Sequence, residues 1–600
     1  MNNCSSIQLN KESFIRYSVL FIPLFFGFWS LLLGQDRNWD LAAYHFYNGF
    51  SFIHNKFDID LAAAGSHSFF NPLLDAFYYY FNTHLPPKLF GFLLGFIHGL
   101  IFVFIVNITK ILIPKSGRRP NLDLIFFISF ICCLTPNFLA GLGNSMGDNS
   151  TALFGICSIW LTISYWNTLG KESLLSNLLI LSIGLIMGVG VGLKLTNAPY
   201  ALALALSLFF YSSKILKNLK IVIVLGLGVL FGIAFSAGFW FLNLWEHFHN
   251  PFFPQFSNFF PNEFSNIDVI DRRWPPKDLF EAIGWPFITA LNYKRVGEGL
   301  VHQILWPTFF LLLYIKILFG IFKTKVPCFK TLPDKQFFLI LFIAISYVAW
   351  MFVFSIQRYI VTIEVLLPLA IYFLLANIFE KYPIKKISIY FLCISASIIL
   401  FGGFGTWGHA RWTYPALKVE TPKVLNPETS TVLLTNFGMP ITWMITQFDS
   451  HLSFVRLGIL PTEKQNNFLK KRSGNLFVMF PGTYNWRIDN VHTWTKIVSE
   501  LGLLSNKEKC EKLQTFIEKI KFRGQIKFYE SRAIIKDQCF IDIKDQDFID
   551  ISAANKQIID FSNTELNSHG FELIKSSCRD YHASIGGQGW SYIFCSAARN

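Results

Sequence analysis

Charged side chains are scarce in this chain. Asp, Glu, Lys and Arg make up 15% of its 600 residues, whereas 52% are hydrophobic and 17% are aromatic. Soluble globular domains carry about 25% charged residues, so this composition argues against a soluble protein and predicts a polytopic membrane protein. The formal net charge of +14 comes without a basic domain or a nucleic-acid-binding motif. We therefore attribute it to membrane topology and anionic lipid headgroups, and expect no nucleic-acid partner.

Sequence motifs of several large enzyme classes are also absent. The chain has no P-loop and no HExxH motif, which argues against the enzymes built on them. It has no CxxC pair, so a structural zinc site is not expected. No clear repeat of five spans plus five spans is present, and this argues against a secondary transporter or a flippase of lipid-linked substrates.

Long apolar stretches, by contrast, are abundant. A helix needs about 20 apolar residues to cross the hydrocarbon layer, and the sequence predicts about eleven such spans. We expect the first to be a retained helix, because its apolar run is too long for a signal peptide and no small-residue cleavage site follows. The predicted spans are 14–34, 88–113, 122–142, 150–168, 175–193, 197–213, 221–245, 303–322, 336–355, 359–379 and 387–405.

The basic loops predict the orientation, because such loops stay in the cytoplasm. Lys and Arg concentrate in residues 114–120, 170–173, 213–220, 323–335 and 380–386. The N-terminus is then cytoplasmic. This orientation predicts a transmembrane domain, residues 1–405, with a first external loop (35–87), a short one (141–149) and a long one (246–302), and a second domain outside, residues 406–600. No eukaryotic retention or anchoring signal is present, so we predict a multi-pass protein of a bacterial inner membrane with a periplasmic C-terminal domain.

After Trp407 the hydropathy falls and charges become frequent. Short β-rich runs such as TVLLTNFGM, LSFVRLGIL and NLFVMFPG alternate with a stretch of helical spacing from Ile497 to Phe522. This pattern predicts an extracytoplasmic α/β domain that is large enough to bury its own core.

This predicted domain contains four cysteines. An even number in an oxidising compartment predicts two disulfides. Sequence order suggests that Cys510 pairs with Cys539 and that Cys578 pairs with Cys595, although four cysteines allow three connectivities.

The first external loop opens with GQDRNWDLAAYHFYNGF, which places Asp36 and Asp40 beside the membrane surface. Asp40 has two interpretations: an N-cap that accepts backbone N–H bonds, or a general base whose pKa is raised by partial desolvation. Asp36 can serve as the base instead, and only one of the two need be catalytic. Tyr44 and His45 follow in the same segment and are candidate substrate-binding residues.

Further candidates lie on the same predicted face. Asp148, in GLGNSMGDNSTALF, is either another N-cap or a contact to substrate or metal. Lys194 and Arg358 with Tyr359 lie at predicted helix ends, where snorkelling to the interface or binding of a lipid-linked phosphate explains them. Glu364 falls inside a predicted span, and we expect it to pair with Arg358.

These pieces together resemble the GT-C class of integral-membrane glycosyltransferases, which includes protein O-mannosyltransferases and aminoarabinose-type lipid A transferases. The resemblance covers about 400 residues and depends on the order and the common face of loose motifs. They are DRNWDLAAYH, FNPLLDAFYYYF, GDNSTALF, GLKLTNAP, HNPFFPQFSNFF and RYIVTIEVLLP.

The resemblance implies a transferase that uses a polyprenyl-phosphate-linked sugar as donor and an acceptor outside the cytoplasm. Asp40 or Asp36 would take the proton from the acceptor hydroxyl, usually with inversion. Lys194 and Arg358 would balance the charge of the departing phosphate. Asp148 would support the acceptor or a divalent metal, Mg²⁺ or Mn²⁺. The Asp-Glu pair of the mannosyltransferase branch is absent, because Leu41 follows Asp40, so the branch, the sugar, the acceptor and the metal stay open.

Two alternatives remain at this point. A transporter or flippase would show interrupted spans with ionisable residues near the bilayer midplane. A polysaccharide polymerase or ligase would depend on external Arg and His side chains, here Arg272, Arg273 and His302.

Overall fold

The computed structural model describes the chain in two compact units. The first unit comprises residues 1–40, 69–81 and 88–409, and the second comprises residues 41–68, 82–87 and 410–600. The second unit thus includes parts of the predicted first external loop together with the predicted C-terminal domain. The described residues are all those outside 1, 114–120, 262–272, 298, 323–331, 379–382, 437, 486, 489–490, 492–494, 496–497, 521–528, 534–538 and 544–547.

The first unit is almost entirely helical. After α1 (Asn2–Leu33) and the short strand β1 (Gln35–Asp36), helix α2 (Phe46–Ile53) belongs to the second unit and α3 (Leu73–His84) leads back. The helices that follow are α4 (Pro87–Gly99), α5 (Ile101–Leu112), α6 (Leu122–Cys132), α7 (Pro136–Ala140), α8 (Asp148–Ser164), α9 (Trp166–Leu169), α10 (Leu174–Leu193), α11 (Ala198–Leu208), α12 (Ile215–Phe248), α13 (Leu279–Leu291), α14 (Leu305–Phe322), α15 (Asp334–Val353), α16 (Val361–Glu364), α17 (Leu367–Ile378) and α18 (Ile384–Leu400).

Within the described residues, five helical segments are long and apolar enough to cross a membrane, and a bent pair makes a sixth. They are Ser13–Leu33, Pro87–Leu112, Leu174–Leu193, Ile215–Phe248 and Asp334–Val353, with Gln357–Glu364 and Leu367–Ile378 meeting at 56°. The prediction of a mostly helical membrane protein is confirmed, but the count of eleven spans is not.

Several predicted spans are shorter in the structure because polar or Pro-containing turns interrupt them. The predicted span 122–142 ends as α6 at Cys132, and Pro136 starts the separate short helix α7. The predicted span 197–213 ends as α11 at Leu208. Apolar composition alone does not show where the backbone turns, which explains the difference.

Glycines bring α10 and α12 into close contact. A Cβ added at Gly188 would lie 2.1 Å from the backbone oxygen of Val229, and one at Gly228 would lie 2.2 Å from that of Leu181. Small residues at these positions let the two helix backbones approach closely. Within a lipid bilayer, such close packing rather than the hydrophobic effect holds helices together. The end of α10 is thereby fixed, and Lys194 follows directly after it.

The second unit contains a seven-stranded sheet in the order β3-β10-β11-β6-β4-β5, with β9 paired to β11. Strand β4 runs parallel to both of its neighbours, β5 and β6, whereas the other pairings are antiparallel. The predicted C-terminal sheet domain is thus confirmed. The strands are β3 (Leu417–Val419), β4 (Thr431–Leu434), β5 (Ser453–Arg456), β6 (Leu476–Pro481), β9 (Phe571–Leu573), β10 (Arg579–Ile585) and β11 (Gln588–Arg599).

The described residues of this unit also form the helices α19 (Thr462–Lys470), α20 (Lys507–Ile520) and α21 (Ile551–Ser568), and the strand pair β7 (Tyr529–Ala533) with β8 (Cys539–Ile543). The short strand β2 (His409–Ala410) lies where the chain passes from the first unit into the second. Leu469 of α19 and Leu566 of α21 pack with Val455, Val478 and Ile593 of the sheet in one buried core. An apolar helix face on a sheet is the usual way for such a domain to bury its core.

A segment of the first predicted loop completes the edge of the sheet. The backbone N–H of Leu61 donates to the carbonyl of Phe454 at 2.8 Å, and the N–H of Arg456 donates to the carbonyl of Leu61 at 3.0 Å. These bonds cover the otherwise open edge of β5, which protects it from pairing with other chains.

Candidate functional site

Four of the predicted site residues form one cluster of alternating charge in the first unit. Arg358 Nη1 lies 2.7 Å from Asp40 Oδ2, and Arg358 Nε lies 3.8 Å from Asp148 Oδ2. Lys194 Nζ lies 2.6 Å from Asp148 Oδ1. The guanidinium of Arg358 therefore bridges the two carboxylates. The side chains are 10% to 16% exposed, so the cluster is largely screened from bulk solvent but is not fully buried.

The ends of two helices position Asp148 and Lys194. Asp148 is the first residue of α8, and the preceding Gly147 has φ = +86°, a conformation that favours glycine. Lys194 caps the end of α10 and also donates to the carbonyl of Met146 at 2.6 Å. A carboxylate at a helix N-terminus and an ammonium at a helix C-terminus both complement the helix dipoles.

Aromatic rings hold the two cations. The ring of Tyr359 lies 5.1 Å from the guanidinium carbon of Arg358 and 5.4 Å from Lys194 Nζ. The ring of Trp407 lies 5.8 Å from the same guanidinium carbon. Tyr200 donates a short hydrogen bond to the carbonyl of Tyr359. Cation–π contacts of this kind orient a cation without neutralising it, so the rings fix the positions of the two cations while the carboxylates of Asp40 and Asp148 pair with their charges.

Asp36 has surroundings that differ from those of Asp40. Its Oδ2 accepts hydrogen bonds from the backbone N–H and the hydroxyl of Ser145, at 2.8 and 2.6 Å. Its Oδ1 accepts from the backbone N–H and the side-chain amide of Asn38, at 3.1 and 2.9 Å. Four such bonds occupy most of the acceptor capacity of a carboxylate. Asp36 thus anchors, through Ser145, the loop that leads to Asp148.

The side chains that support this loop are not among the residues predicted from the sequence. His98 Nδ1 accepts from the backbone N–H of Gly143 at 3.1 Å, which leaves Nε2 to face Ser150 Oγ at 3.0 Å. Tyr78 donates to the same Ser150 hydroxyl at 2.8 Å. The sequence shows that His98 lies within an apolar run, which marks it as unusual. It does not show which residues His98 contacts.

Glu364 does not form the predicted pair with Arg358, so that prediction was wrong. Its carboxylate accepts from the backbone N–H of Asn137 at 2.9 Å, from the Asn137 side-chain amide at 2.8 Å and from Gln303 Nε2 at 2.8 Å. Three neutral donors satisfy this buried carboxylate, so its hydrogen-bonding capacity is met without a basic partner.

Tyr44 and His45 belong to the second unit and lie in a π-helical turn, Leu41–His45. The Tyr44 ring stacks on that of His67 with ring centroids 4.6 Å apart, and His45 lies against Tyr44 at 4.2 Å. Single π-helical turns occur frequently at functional sites. The assignment of Tyr44 and His45 to substrate binding stays a prediction.

A second ion cluster, which the sequence analysis missed, is buried in the second unit. Lys56 Nζ lies 3.1 Å from Asp60 Oδ1, with side chains 0% and 2% exposed. Asp60 also accepts from the Tyr47 hydroxyl at 2.8 Å and from the backbone N–H of Phe454 at 2.9 Å. Lys56 also donates to the carbonyls of Ser450 and Leu452, at 3.0 and 2.6 Å.

Burial shifts the ionisation of this second cluster. It raises the pKa of Asp60, while the Lys56 charge and the hydrogen bonds oppose that rise. It also lowers the pKa of Lys56, against the attraction of Asp60. Nearby, burial lowers the pKa of Arg456 to about 10. Desolvation disfavours each charged form, and the partners recover part of the cost.

The predicted cysteine pairs are only partly described. Cys578 and Cys595 are joined by a disulfide, with Cα atoms 4.1 Å apart. Cys510 is disulfide-bonded, but the side chain of Cys539 lies outside the described residues. The pairing of Cys510 with Cys539 thus stays a prediction.

The surroundings of Asp148 do not fit a divalent cation. Its two oxygens face Lys194 at 2.6 Å and Arg358 at 3.8 Å, and these positive charges repel a metal ion. Nowhere in the described residues do three or more His, Cys, Asp or Glu side chains come together in a metal-binding arrangement. Mg²⁺ and Mn²⁺ prefer several oxygen ligands, and Asp148 offers two oxygens that already face cations.

Comparisons with known proteins reach only a distant structural likeness. No protein-family model matches the sequence, and no curated protein matches it. The crystal structure of the Archaeoglobus fulgidus oligosaccharyltransferase in the apo form has a TM-score of 0.43 and 12% identity, covering 79% of this chain and 70% of that chain. The same enzyme in complex with Zn and sulfate has a TM-score of 0.40 and 12% identity, covering 77% and 68%. A likeness at this level decides neither the family nor the activity.

Proposed function

We propose that this chain is a membrane glycosyltransferase of the GT-C type that transfers a sugar from a polyprenyl-phosphate donor to an acceptor outside the cytoplasm. The observation that carries the proposal is the cluster of Asp40, Arg358, Asp148 and Lys194, which combines a carboxylate for proton transfer with two cations for a phosphate. An enzyme that displaces a phosphate from a sugar needs both functions.

In the proposed reaction the acceptor hydroxyl oxygen attacks the anomeric carbon while the bond from that carbon to the phosphate oxygen breaks. The hydroxyl proton goes to Asp40, and the polyprenyl phosphate leaves as an anion that needs no acid catalyst. Lys194 and Arg358 stabilise its charge. A phosphate that binds Arg358 weakens the Arg358 contact to Asp40, which makes the carboxylate a stronger base when the donor is bound.

The location of the chain is part of the same proposal. Basic loops place the N-terminus in the cytoplasm, and the cluster then lies on the periplasmic side of a bacterial inner membrane. The disulfide between Cys578 and Cys595 suits an oxidising compartment. We assign acceptor selection to the C-terminal domain, residues 406–600, with Tyr44 and His45 as further substrate contacts.

A transporter or flippase is the second candidate, and one observation favours it. The pair Gln357–Glu364 and Leu367–Ile378 is bent by 56°, and Arg358 lies in its first part. Interrupted helices that carry ionisable residues are typical of secondary transporters.

The deciding experiment uses purified full-length protein in lipid with a panel of radiolabelled undecaprenyl-phosphate sugars. Asp40→Asn should bind donor as the wild type does and lose roughly 10²- to 10⁴-fold in sugar transfer, the usual contribution of a general base. Asp36→Asn should lose thermal stability instead, because the amide keeps only one of the two acceptor oxygens that bind Ser145 and Asn38. Asp278→Asn is the matched control, since Asn caps helix α13 as well as Asp does.

Three results would redirect the proposal. Equal transfer by the wild type and the Asp40→Asn variant, at equal folding by gel filtration, removes Asp40 as the base. Loss of transfer only in Asp36→Asn, with unchanged stability, moves that role to Asp36. Movement of an intact lipid-linked sugar across the bilayer of a vesicle, without release of the sugar, favours the transporter.

A further inference from the structure

A basic cavity of about 500 Å³ lies in the first unit where α10 and α12 begin. Four lysines line it, and Glu172 is the single acidic residue among its lining residues, so three positive charges are in excess. No ion pair between described residues involves these lysines. They are Lys171, Lys214, Lys217 and Lys220.

The cavity is separate from the site proposed for sugar transfer. It lies at the start of α10, whereas Lys194 lies at the end of the same helix. The 20 residues of α10 span about 30 Å at 1.5 Å per residue, which is about the thickness of the hydrocarbon layer. One charged site therefore lies near each end of a single spanning helix.

Packing turns Lys217 into the cavity. Its Nζ lies 5.4 Å from the centroid of the Tyr211 ring, and its side chain passes so close to Gly170 that a Cβ there would lie 2.4 Å from both Cε and Nζ. The Tyr211 hydroxyl donates to the carbonyl of Trp166 at 2.7 Å, which fixes the ring. Lys217 is thus half-buried and positioned, unlike a solvated surface lysine.

The remaining surfaces suit a lipid. Ile180 and Ile221 give the cavity an apolar wall, and the neighbouring Leu175 and Leu216 are 70% and 79% exposed on the apolar helices. The first turn of α12 has no side-chain cap at Lys214, so its N–H groups add to the attraction for an anion. A ligand with a phosphate for the lysines and apolar chains for the neighbouring helix faces is a phospholipid.

We propose that this cavity binds the phosphate of an anionic phospholipid, with Lys217 and Lys220 as its charged ligands and the acyl chains along the exposed apolar helix faces. Basic pockets between spanning helices bind such headgroups. The proposal does not depend on the sugar-transfer activity, because lipid binding at this end of α10 needs no donor.

Native mass spectrometry of the purified, delipidated full-length protein tests the proposal by titration with phosphatidylglycerol or phosphatidylcholine. Lys217→Gln/Lys220→Gln should bind phosphatidylglycerol roughly tenfold to thirtyfold more weakly, at about 1 kcal/mol per lysine. Lys217→Arg/Lys220→Arg should bind it as the wild type does, since the charges remain. Lys385→Gln/Lys386→Gln is the matched control, because these exposed lysines begin α18 and should not affect binding.

The proposal is overturned if the Gln double variant, folded by its thermal unfolding curve, binds phosphatidylglycerol as tightly as the wild type. It is also overturned if phosphatidylcholine binds equally well, since that lipid has no net charge. Glycerol phosphate and inorganic phosphate form the soluble arm of the titration. If either binds the wild type as tightly as the lipid does, the site takes a free phosphate and the lipid assignment is wrong.

Discussion

The two ion clusters of this chain use the same residue types in different surroundings. In the first unit, the side chains of Asp40, Arg358, Asp148 and Lys194 are 10% to 16% exposed. The guanidinium of Arg358 lies between the carboxylates of Asp40 and Asp148. In the second unit, Lys56 and Asp60 are 0% and 2% exposed, and backbone carbonyls, a backbone N–H and a tyrosine hydroxyl surround them.

This difference distinguishes a structural ion pair from the proposed binding site. The buried pair has several polar partners and ties residues 56–60 to Ser450 and Leu452, which precede β5, and to Phe454 within β5. A ligand would have to break those bonds. The partly exposed cluster has aromatic rings around its cations, and such contacts leave hydrogen-bond donors for an incoming anion. Substitutions of the same kind should therefore have opposite consequences in the two clusters.

The largest effect is expected from Lys56→Met. The substitution leaves Asp60 buried without its cation, which should reduce the stability of the second unit by about 3–5 kcal/mol. Hydrogen exchange of β4 and β5 in the full-length protein, followed by mass spectrometry, measures this loss. Lys56→Met/Asp60→Asn should recover part of it, because the amide oxygen can still accept from the Phe454 N–H and no buried charge remains. Unchanged exchange in Lys56→Met would mean that the pair does not hold the sheet edge.

Lys194→Met should have the opposite pattern. Asp148 keeps Arg358 at 3.8 Å and the N-terminus of α8, so the thermal unfolding midpoint should change little. Loss of one charged hydrogen bond to phosphate should weaken donor binding about tenfold to a hundredfold. Equilibrium binding of radiolabelled undecaprenyl-phosphate sugar measures this effect. A variant that unfolds but binds donor normally when folded would remove the distinction between the two clusters.

Arg358→Lys should have a smaller effect. Lysine keeps the charge but loses the planar fork that reaches both Asp40 and Asp148, so sugar transfer should fall about tenfold. Arg295→Lys is the matched control, because Arg295 pairs with Glu281 at 2.7 Å outside the cluster. Equal rates for the two variants would show that any cation suffices at position 358.

The members of the partly exposed cluster could be predicted from sequence, whereas the members of the buried cluster could not. Asp40, Asp148, Lys194 and Arg358 are conspicuous because charges beside apolar runs are costly and therefore few. Lys56 and Asp60 lie in a predicted loop of ordinary polarity, and their partners are almost 400 positions away in the chain. Lys56 and Asp60 meet these partners because the segment that contains Leu61 pairs with the edge of β5.

The same limit applies to the details of the site and to the fold. The bonds of Ser145 to Asp36 depend on how one loop folds back on another, and the amides around Glu364 depend on helix packing. Hydropathy predicted the helical class and the C-terminal sheet domain, but its count of eleven spans is not confirmed within the described residues, where turns at residues such as Pro136 divide apolar sequence into shorter helices.

Removal of divalent metal is expected to have the smallest effect, with sugar transfer unchanged after EDTA. The oxygens of Asp148 face Lys194 and Arg358, and a divalent ion would have to displace both cations before it could bind there. In the proposed reaction those cations already neutralise the leaving phosphate, which is a task that a metal ion performs in other transferases. Transfer assays with and without EDTA measure this directly. Transfer that is lost in EDTA and restored by Mg²⁺ or Mn²⁺ would show that the cluster rearranges when the donor binds.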